Sequence, residues 1–298
     1  MHADLRQRGF RGELRPDCPL APLTTWRIGG PAELLAGPAD ERDLALLVSW
    51  ATERDVPWRV LGNGSNLLVH DRGVRGLVIR LRKILDALRI DGTTLRAGAG
   101  AMFPLVAHHA ASAGLAGIEF GAGIPGTVGG AIVMNAGWHE HEIGAFVRRV
   151  AVLEPAGTRR ELDRAACAFG YRRSRFRLDR RSIVLEAELE LARDDPRAVR
   201  ARMDAYTDSR KRNQPTELPS CGSVFLKPEG DFAGRLIEQA GLKGLRVGGV
   251  EVSRKHANFF VNLGGATSAD VLELVRLVET EVERRFGVRL AREFELWE

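Results

Sequence analysis

No apolar run in this 298-residue chain approaches the ~20 residues of a membrane-spanning helix. That argues against a membrane partner. The opening stretch Met1-His-Ala-Asp-Leu-Arg-Gln-Arg8 lacks the apolar core of a secretory signal. Cysteine is scarce. Cys18, Cys167 and Cys221 have neither metal-ligand spacing nor the even count of a disulfide framework, which predicts reduced thiols and a cytoplasmic protein. Lysine is scarce too, confined to Lys83, Lys211, Lys227, Lys243 and Lys255, so the net charge of +5 comes almost wholly from arginine. Zinc-finger spacing, aromatic-rich RNA-binding motifs, internal repeats and low-complexity tracts are all missing. The arginines are scattered, with one dense patch at residues 172–181. A basic chain of this kind suits a small substrate rich in phosphate and carboxylate better than it suits nucleic acid.

What is present is a globular composition, 44% hydrophobic and 28% charged, long enough to bury a sizeable core in two or three compact units. The most informative stretch runs from Gly117 to Gly137, with glycine at 117, 121, 123, 126, 129, 130 and 137. Glycine costs roughly 0.5–1 kcal/mol relative to alanine inside regular structure, so this density needs a cause. A backbone that comes close to a ligand and turns its N–H groups toward a pyrophosphate supplies one. Pro125 stiffens the loop and Thr127 adds a hydroxyl. Gly121, Gly123 and Gly126 match the spacing of the Rossmann fingerprint, but that motif needs a helix opening at its third glycine. Thr127-Val-Gly-Gly130 is a poor first helical turn, and Ala131–Met134 reads as a short buried strand. The sequence therefore favours a cofactor-cradling loop of another fold.

In chain order, residues 1–23 read as a loose leader broken by Pro16, Pro19 and Pro22. Asp40 and Asp43 cap a helix with an apolar face at Leu44, Leu47, Val48 and Ala51. Pro57–Leu61 and Leu67–Val69 are strands joined by the tight turn Gly62-Asn-Gly-Ser-Asn66, readable as a hairpin turn or as a phosphate-binding turn. Phe103–Ala113 is a helix, Val147–Glu154 and Ile183–Leu191 are strands, and a helix runs from Arg197 to about residue 212. Asp194-Asp-Pro196 marks a boundary. Thr267 and Asp270 form a capping box for a helix stopped at Gly287, and Val288–Trp297 closes the chain as a strand. The His139-Glu-His141 spacing has no third distant ligand, so no metal is expected.

Several separated motifs share one order: Thr25-Trp-Arg-Ile-Gly-Gly30, Leu61-Gly-Asn-Gly-Ser-Asn-Leu-Leu68, Gly123-Ile-Pro-Gly-Thr-Val-Gly-Gly-Ala-Ile-Val-Met-Asn-Ala-Gly137 and Phe169-Gly-Tyr-Arg-Arg-Ser174. Pro219-Ser-Cys-Gly-Ser-Val-Phe225, Gly248-Gly-Val-Glu-Val-Ser253, Lys255-His-Ala-Asn-Phe-Phe-Val-Asn262 and Leu290-Ala-Arg-Glu293 continue it. Over residues 20–298 the chain resembles the UDP-N-acetylenolpyruvoylglucosamine reductase family, in its second subclass, which lacks a substrate-covering tyrosine loop. Trp138-His139 departs from the family, which commonly carries smaller residues or Ala-Tyr-Gly there.

The resemblance implies an α+β, FAD-binding fold of the vanillyl-alcohol oxidase type with a C-terminal α+β substrate domain. Residues 1–80, completed by the strand 290–298, form one flavin subdomain; 81–195 form the second; 196–289 bind substrate. It implies a monomer that uses NADPH and FAD to reduce the enolpyruvyl ether of a UDP-sugar in peptidoglycan precursor synthesis, without nucleic acid. Hydride leaves flavin N5, an enolate forms, and a proton completes the reaction. The flavin contacts carried over are Leu61, Gly62, Asn63, Gly64, Ser65 and Asn66 in the turn. In the glycine run they are Gly121, Gly123, Ile124, Pro125, Gly126 and Thr127, then Gly129, Gly130, Ala131, Asn135, Ala136 and Gly137.

By the same resemblance Arg172 meets the enolate, Ser223 gives the proton and Glu293 polarises a water or holds a proton near the enolate oxygen. A guanidinium suits the first task because it forks onto a carboxylate and stays charged. Cys221 is a rival donor, with an intrinsic pKa of about 8.5. Tyr171, Lys227, Lys255, His256 and Asn258, with Arg172, are the expected substrate contacts. Another FAD-dependent oxidase or dehydrogenase of the same fold, and a non-enzymatic basic nucleotide-binding protein, are the rival readings.

Overall fold

The computed structural model describes residues 1–82, 84–179 and 181–298; Lys83 and Arg180, the latter inside the arginine patch, lie outside the described residues. The chain divides into two compact units. One comprises Met1–Pro16, Leu34–Asn63 and Gly76–Ser209; the other comprises Asp17–Glu33, Gly64–Arg75 and Arg210–Glu298. This grouping differs from the expected three-part division. Gly64–Arg75 and the closing strand Glu295–Trp297 fall in the second unit.

A four-stranded sheet, built mostly from the first unit's residues, has the order Glu13–Pro19, Pro31–Gly37, Val74–Arg80, Trp58–Leu61. Residues 1–23 are therefore not a loose leader. His2–Gln7 is a short helix with Leu5 buried, and Glu13–Pro19 is an edge strand, the place in a sheet where Pro16 and Pro19 cost least. The helix Glu41–Glu53 forms as its pattern predicts. Asp40 Oδ1 accepts the N–H of Asp43 at 2.9 Å, and Leu44, Leu47, Val48, Trp50 and Ala51 turn inward. Asp43 is itself buried, and its carboxylate accepts the main-chain N–H groups of Arg11, Gly12 and Ala39. The opening segment is thereby tied to this helix.

The first unit also holds a five-stranded antiparallel sheet, ordered Arg159–Asp163, Val147–Leu153, Ile183–Glu190, Thr94–Gly98, Leu88–Asp91. The helix Phe103–Ser112 and the short helix Val128–Met134 contribute Phe103, Val106, Ala110, Val128, Ala131 and Ile132 to its core.

The second unit packs the helices Ala233–Gln239 and Ser268–Phe286 with the three-stranded sheet Arg246–Val247, Val250–Val252, Phe260–Asn262. Thr267 and Asp270 make the expected capping box, and Gly287 ends the long helix at φ +67°. The closing strand is shorter than the pattern suggested, Glu295–Trp297 alone, and runs parallel to Leu67–Val69.

Candidate active site

The glycine run does not form the expected loop. Val128–Met134 is a helix, capped by Thr127, whose hydroxyl accepts the N–H of Gly130 at 3.3 Å. Ala131–Met134, expected as a strand, belong to that helix. Of the two glycines in its first turn, Gly129 lies against the neighbouring backbone, whereas a Cβ on Gly130 would make only an ordinary contact, 3.6 Å from Thr127 Oγ1. Gly129 donates its N–H to the carbonyl of Ala99 at 2.9 Å, and a Cβ on Gly129 would meet the Ala99 Cβ at 3.0 Å. The Rossmann reading fails on topology: the adjacent strands Thr94–Gly98 and Ile183–Glu190 are antiparallel, not a βαβ unit.

The N–H groups of this run are largely spent within the protein. Ile124 donates to Gly121, Gly126 to Ile124, and Val128 to Ala101. Gly121 is explained by packing, since a Cβ there would lie 2.7 Å from the Phe103 ring. The free donors lie instead in the turn at 62–65. Among the described residues, nothing accepts a hydrogen bond from the main-chain N–H of Gly62, Asn63, Gly64 or Ser65. The turn is not a hairpin, because Trp58–Leu61 pairs with Val74–Arg80 while Leu67–Val69 pairs with the closing strand. Its first two residues meet the glycine run. Asn63 Nδ2 donates to the Pro125 carbonyl at 2.5 Å, and a Cβ on Gly62 would stand 2.6 Å from Thr127 Oγ1. Consecutive unpaired N–H groups make a concavity that favours an anion.

Arg172 and Tyr171 stand on a two-residue turn closed by reciprocal hydrogen bonds between Gly170 and Arg173, each 2.9 Å. Arg172 adopts φ +48° there, Tyr171 is half exposed, and the guanidinium carbon lies 5.3 Å from the Tyr171 ring centroid. Arg172 Nη2 donates to the Gly137 carbonyl at 3.0 Å. Asn135, expected beside the cofactor, is buried with its side chain committed internally. Its amide donates to Glu142 Oε2 and the Gly170 carbonyl, and its oxygen accepts the N–H of Gly144.

In the second unit, Ser223 and Glu293 lie on adjoining segments. Glu293 N–H donates to the Val224 carbonyl and Leu226 N–H to the Ala291 carbonyl, each at 2.8 Å, with Phe225 bridged to Arg292. Both residues are partly buried. The Ser223 hydroxyl has no hydrogen-bond partner among the described residues. Arg292, the apparent partner of Glu293 in sequence, pairs with Glu279 at 3.0 Å instead. Cys221 is buried in the apolar core, and burial first, then the Glu293 charge, pushes its thiol pKa well up. That weakens it as a rival acid. Asn66 Nδ2 donates to the Glu293 carbonyl at 3.2 Å, and Glu295 N–H returns a bond to the Asn66 carbonyl at 3.0 Å.

The remaining expected contacts divide. Asn258 is a structural clasp: its oxygen accepts the Phe225 N–H at 3.0 Å and its amide donates to the Phe225 carbonyl at 2.8 Å. Lys255 Nζ donates to the Lys211 carbonyl at 2.6 Å and lies 3.7 Å from Glu217. His256 is lowered in pKa chiefly by burial, and its Nδ1 accepts the Asn258 N–H. Lys227 is exposed, with its ammonium 4.5 Å from the Phe232 ring centroid. Thr25, from the first of the shared motifs, also ties segments together. It donates its N–H to the Gly64 carbonyl and its hydroxyl to the Ser220 carbonyl at 2.7 Å. Among the described residues no cluster of three His, Cys, Asp or Glu side chains is placed to hold a metal.

Comparison with known proteins gives one answer along the whole chain. A family profile described as "UDP-N-acetylenolpyruvoylglucosamine reductase, C-terminal domain" matches residues 214–297, and one described as "FAD binding domain" matches residues 32–163. The UDP-N-acetylenolpyruvoylglucosamine reductase of Moorella thermoacetica is 46% identical over 98% of this chain and 95% of its own length. That of an Anaeromyxobacter species is 47% identical over 97% and 90%. The crystal structure of UDP-N-acetylenolpyruvylglucosamine reductase (MurB) from Thermus caldophilus superposes with a TM-score of 0.82 at 38% identity, covering 97% of this chain and 99% of that one.

Proposed function

The chain belongs to the UDP-N-acetylenolpyruvoylglucosamine reductase family, and from that premise we propose the reaction and the residues that carry it. The protein is a flavin-dependent oxidoreductase with the FAD-binding α+β fold of the vanillyl-alcohol oxidase type and a C-terminal α+β domain. It reduces UDP-N-acetylenolpyruvoylglucosamine, with NADPH as the reductant, in peptidoglycan precursor synthesis. FAD, when bound, relays the hydride from NADPH to the methylene carbon of the enolpyruvyl group.

The unpaired N–H groups of Gly62, Asn63, Gly64 and Ser65 fit the FAD diphosphate, with Asn63 and Gly62 steadied against Pro125 and Thr127. Arg172 receives the substrate carboxylate and the charge that spreads into it as hydride arrives. Ser223 delivers the proton to the neighbouring carbon. A serine hydroxyl is a weak acid, so it serves only when aimed at a strongly basic carbon. Glu293 holds a proton or water near the enolate oxygen. The main-chain bond from Glu293 to Val224 carries this reading, because it sets the two partly buried residues on neighbouring segments by backbone pairing.

Tyr171, Lys227 and His256 remain the proposed contacts to the rest of the UDP-sugar, with Lys255 and Asn258 shaping the segment that bears them. Among the described residues no helix is long and apolar enough to cross a membrane; the proposed reading is a cytoplasmic monomer acting on small molecules. Single-turnover mixing of the reduced holoenzyme with UDP-N-acetylenolpyruvoylglucosamine tests the assignment. Flavin reoxidation faster than by oxygen is expected, and its absence would reject the substrate.

A further inference from the structure

The carbonyl that holds Arg172 belongs to a small hairpin. Gly137 pairs with Glu142 and Trp138 with His141 in a two-residue antiparallel ladder. The ladder is tight, for a Cβ on Gly137 would lie 2.1 Å from the His141 carbonyl. Its wall is aromatic. Trp138 packs against the core of the first unit; its ring lies 5.6 Å from Tyr206, and His139 covers it nearly parallel at 5.4 Å. Tyr206 also meets His141 edge-on at 6.3 Å, so one phenol touches residues from both strands of the ladder.

Tyr206 stands on the helix Pro196–Asn213, which is fastened nearby. Arg202 Nε donates to Glu119 Oε1 at 2.9 Å and its Nη2 to Asp194 Oδ2 at 2.7 Å. Opposite, Asn135 donates to Glu142 at 2.7 Å and to the Gly170 carbonyl at 2.9 Å, joining the hairpin to the turn that bears Arg172. Arg172 is thus aimed from two sides, by its own turn and by the Gly137 carbonyl.

We propose that Trp138, clamped between His139 and Tyr206, is a positioning residue for Arg172 that acts through the Gly137 carbonyl. This rests on the reading of Arg172 as the group that receives the substrate carboxylate. A guanidinium on a flexible stem is aimed only as well as the acceptors behind it are fixed. A misplacement of about 1 Å in a group that orients substrate costs on the order of 100-fold in rate. Trp138 fills the space between the carbonyl-bearing strand and the fastened helix, and removing the indole frees that strand to shift.

The test uses the FAD-loaded protein without air and follows the two half-reactions separately. Trp138→Ala is expected to slow reoxidation by UDP-N-acetylenolpyruvoylglucosamine by about tenfold or more. Reduction by NADPH and flavin content stay as in the wild type, and Trp138→Phe restores most of the lost rate. In an Arg172→Lys background the same alanine substitution is expected to cost nothing further, because residues acting as one unit are not additive. Equal slowing of both half-reactions, or full additivity with Arg172→Lys, would overturn the clamp. If Trp138→Ala loses its flavin, Tyr206→Leu removes only the outer wall and is judged by the same outcomes. A wild-type protein whose flavin the sugar fails to reoxidise rejects the reading of the site itself, an outcome separate from any variant.

Discussion

Glu293 and Val224 are joined through the main chain, N–H to carbonyl at 2.8 Å, so the glutamate is set beside Ser223 by backbone pairing. Side-chain contacts are not needed to bring them near one another. Substituting either side chain therefore leaves the pairing in place, and kinetic changes in such variants report chemistry.

Ser223→Ala is expected to leave reduction by NADPH nearly intact and to slow reoxidation by the enolpyruvyl sugar by about 10²–10⁴-fold, the usual worth of a positioned proton donor. Stopped-flow absorbance of the flavin separates the two steps. Equal loss in both would remove Ser223 from the proton-donor role.

Asn258→Ala tests the reassignment of this residue from substrate contact to clasp. It leaves the Phe225 N–H and carbonyl without their side-chain partner in a buried setting. A loss of about 1–3 kcal/mol of unfolding free energy is expected for each of the two orphaned groups. Urea unfolding measures it. A variant of unchanged stability but raised KM would return Asn258 to the substrate.

Gly62→Ala places a methyl 2.6 Å from Thr127 Oγ1, so the turn or the helix cap must give way. Weaker FAD retention is expected, read as the ratio of flavin to protein absorbance after gel filtration. Full retention would detach this turn from the cofactor.

Cys167 carries a pH signature. Burial, opposed by the Arg175 charge and aided by that of Asp163, pushes the thiol up to about 11. The folded state favours the neutral thiol, so its contribution to stability is complete below pH 9 and is lost as pH rises through 11. The thermal midpoint is expected to fall across that window, and to fall less steeply in Cys167→Ala. Identical slopes would contradict the shift.

Signals legible in the sequence were local ones. The Asp40 cap and the Thr267–Asp270 box formed as their side chains dictate, because a capping bond involves residues three apart. The helix Val128–Met134 is not legible in the sequence because the low helix propensity of Gly129 and Gly130 is outweighed by tertiary contact, Gly129 packing on Ala99, a residue some thirty positions earlier in the chain. The edge strand Glu13–Pro19 was hidden by its prolines, which only its place in the sheet excuses. At the site, the motifs that resembled the family marked Arg172, Ser223 and Glu293. The spending of Asn258 and Asn135 on main-chain partners depends on folds of distant segments and left no local trace. The donors of the 62–65 turn were legible as Gly and Ser in a tight turn, whereas those of the glycine run were overcounted because its N–H groups find acceptors such as Ala101.

The most direct test of the account is a visible spectrum of the purified protein without air, first with NADPH and then with UDP-N-acetylenolpyruvoylglucosamine. The account predicts a flavin band that bleaches with NADPH and returns when the sugar is added. A flavin that ignores the sugar and recovers only with oxygen, or a colourless protein that takes up no FAD, would contradict it.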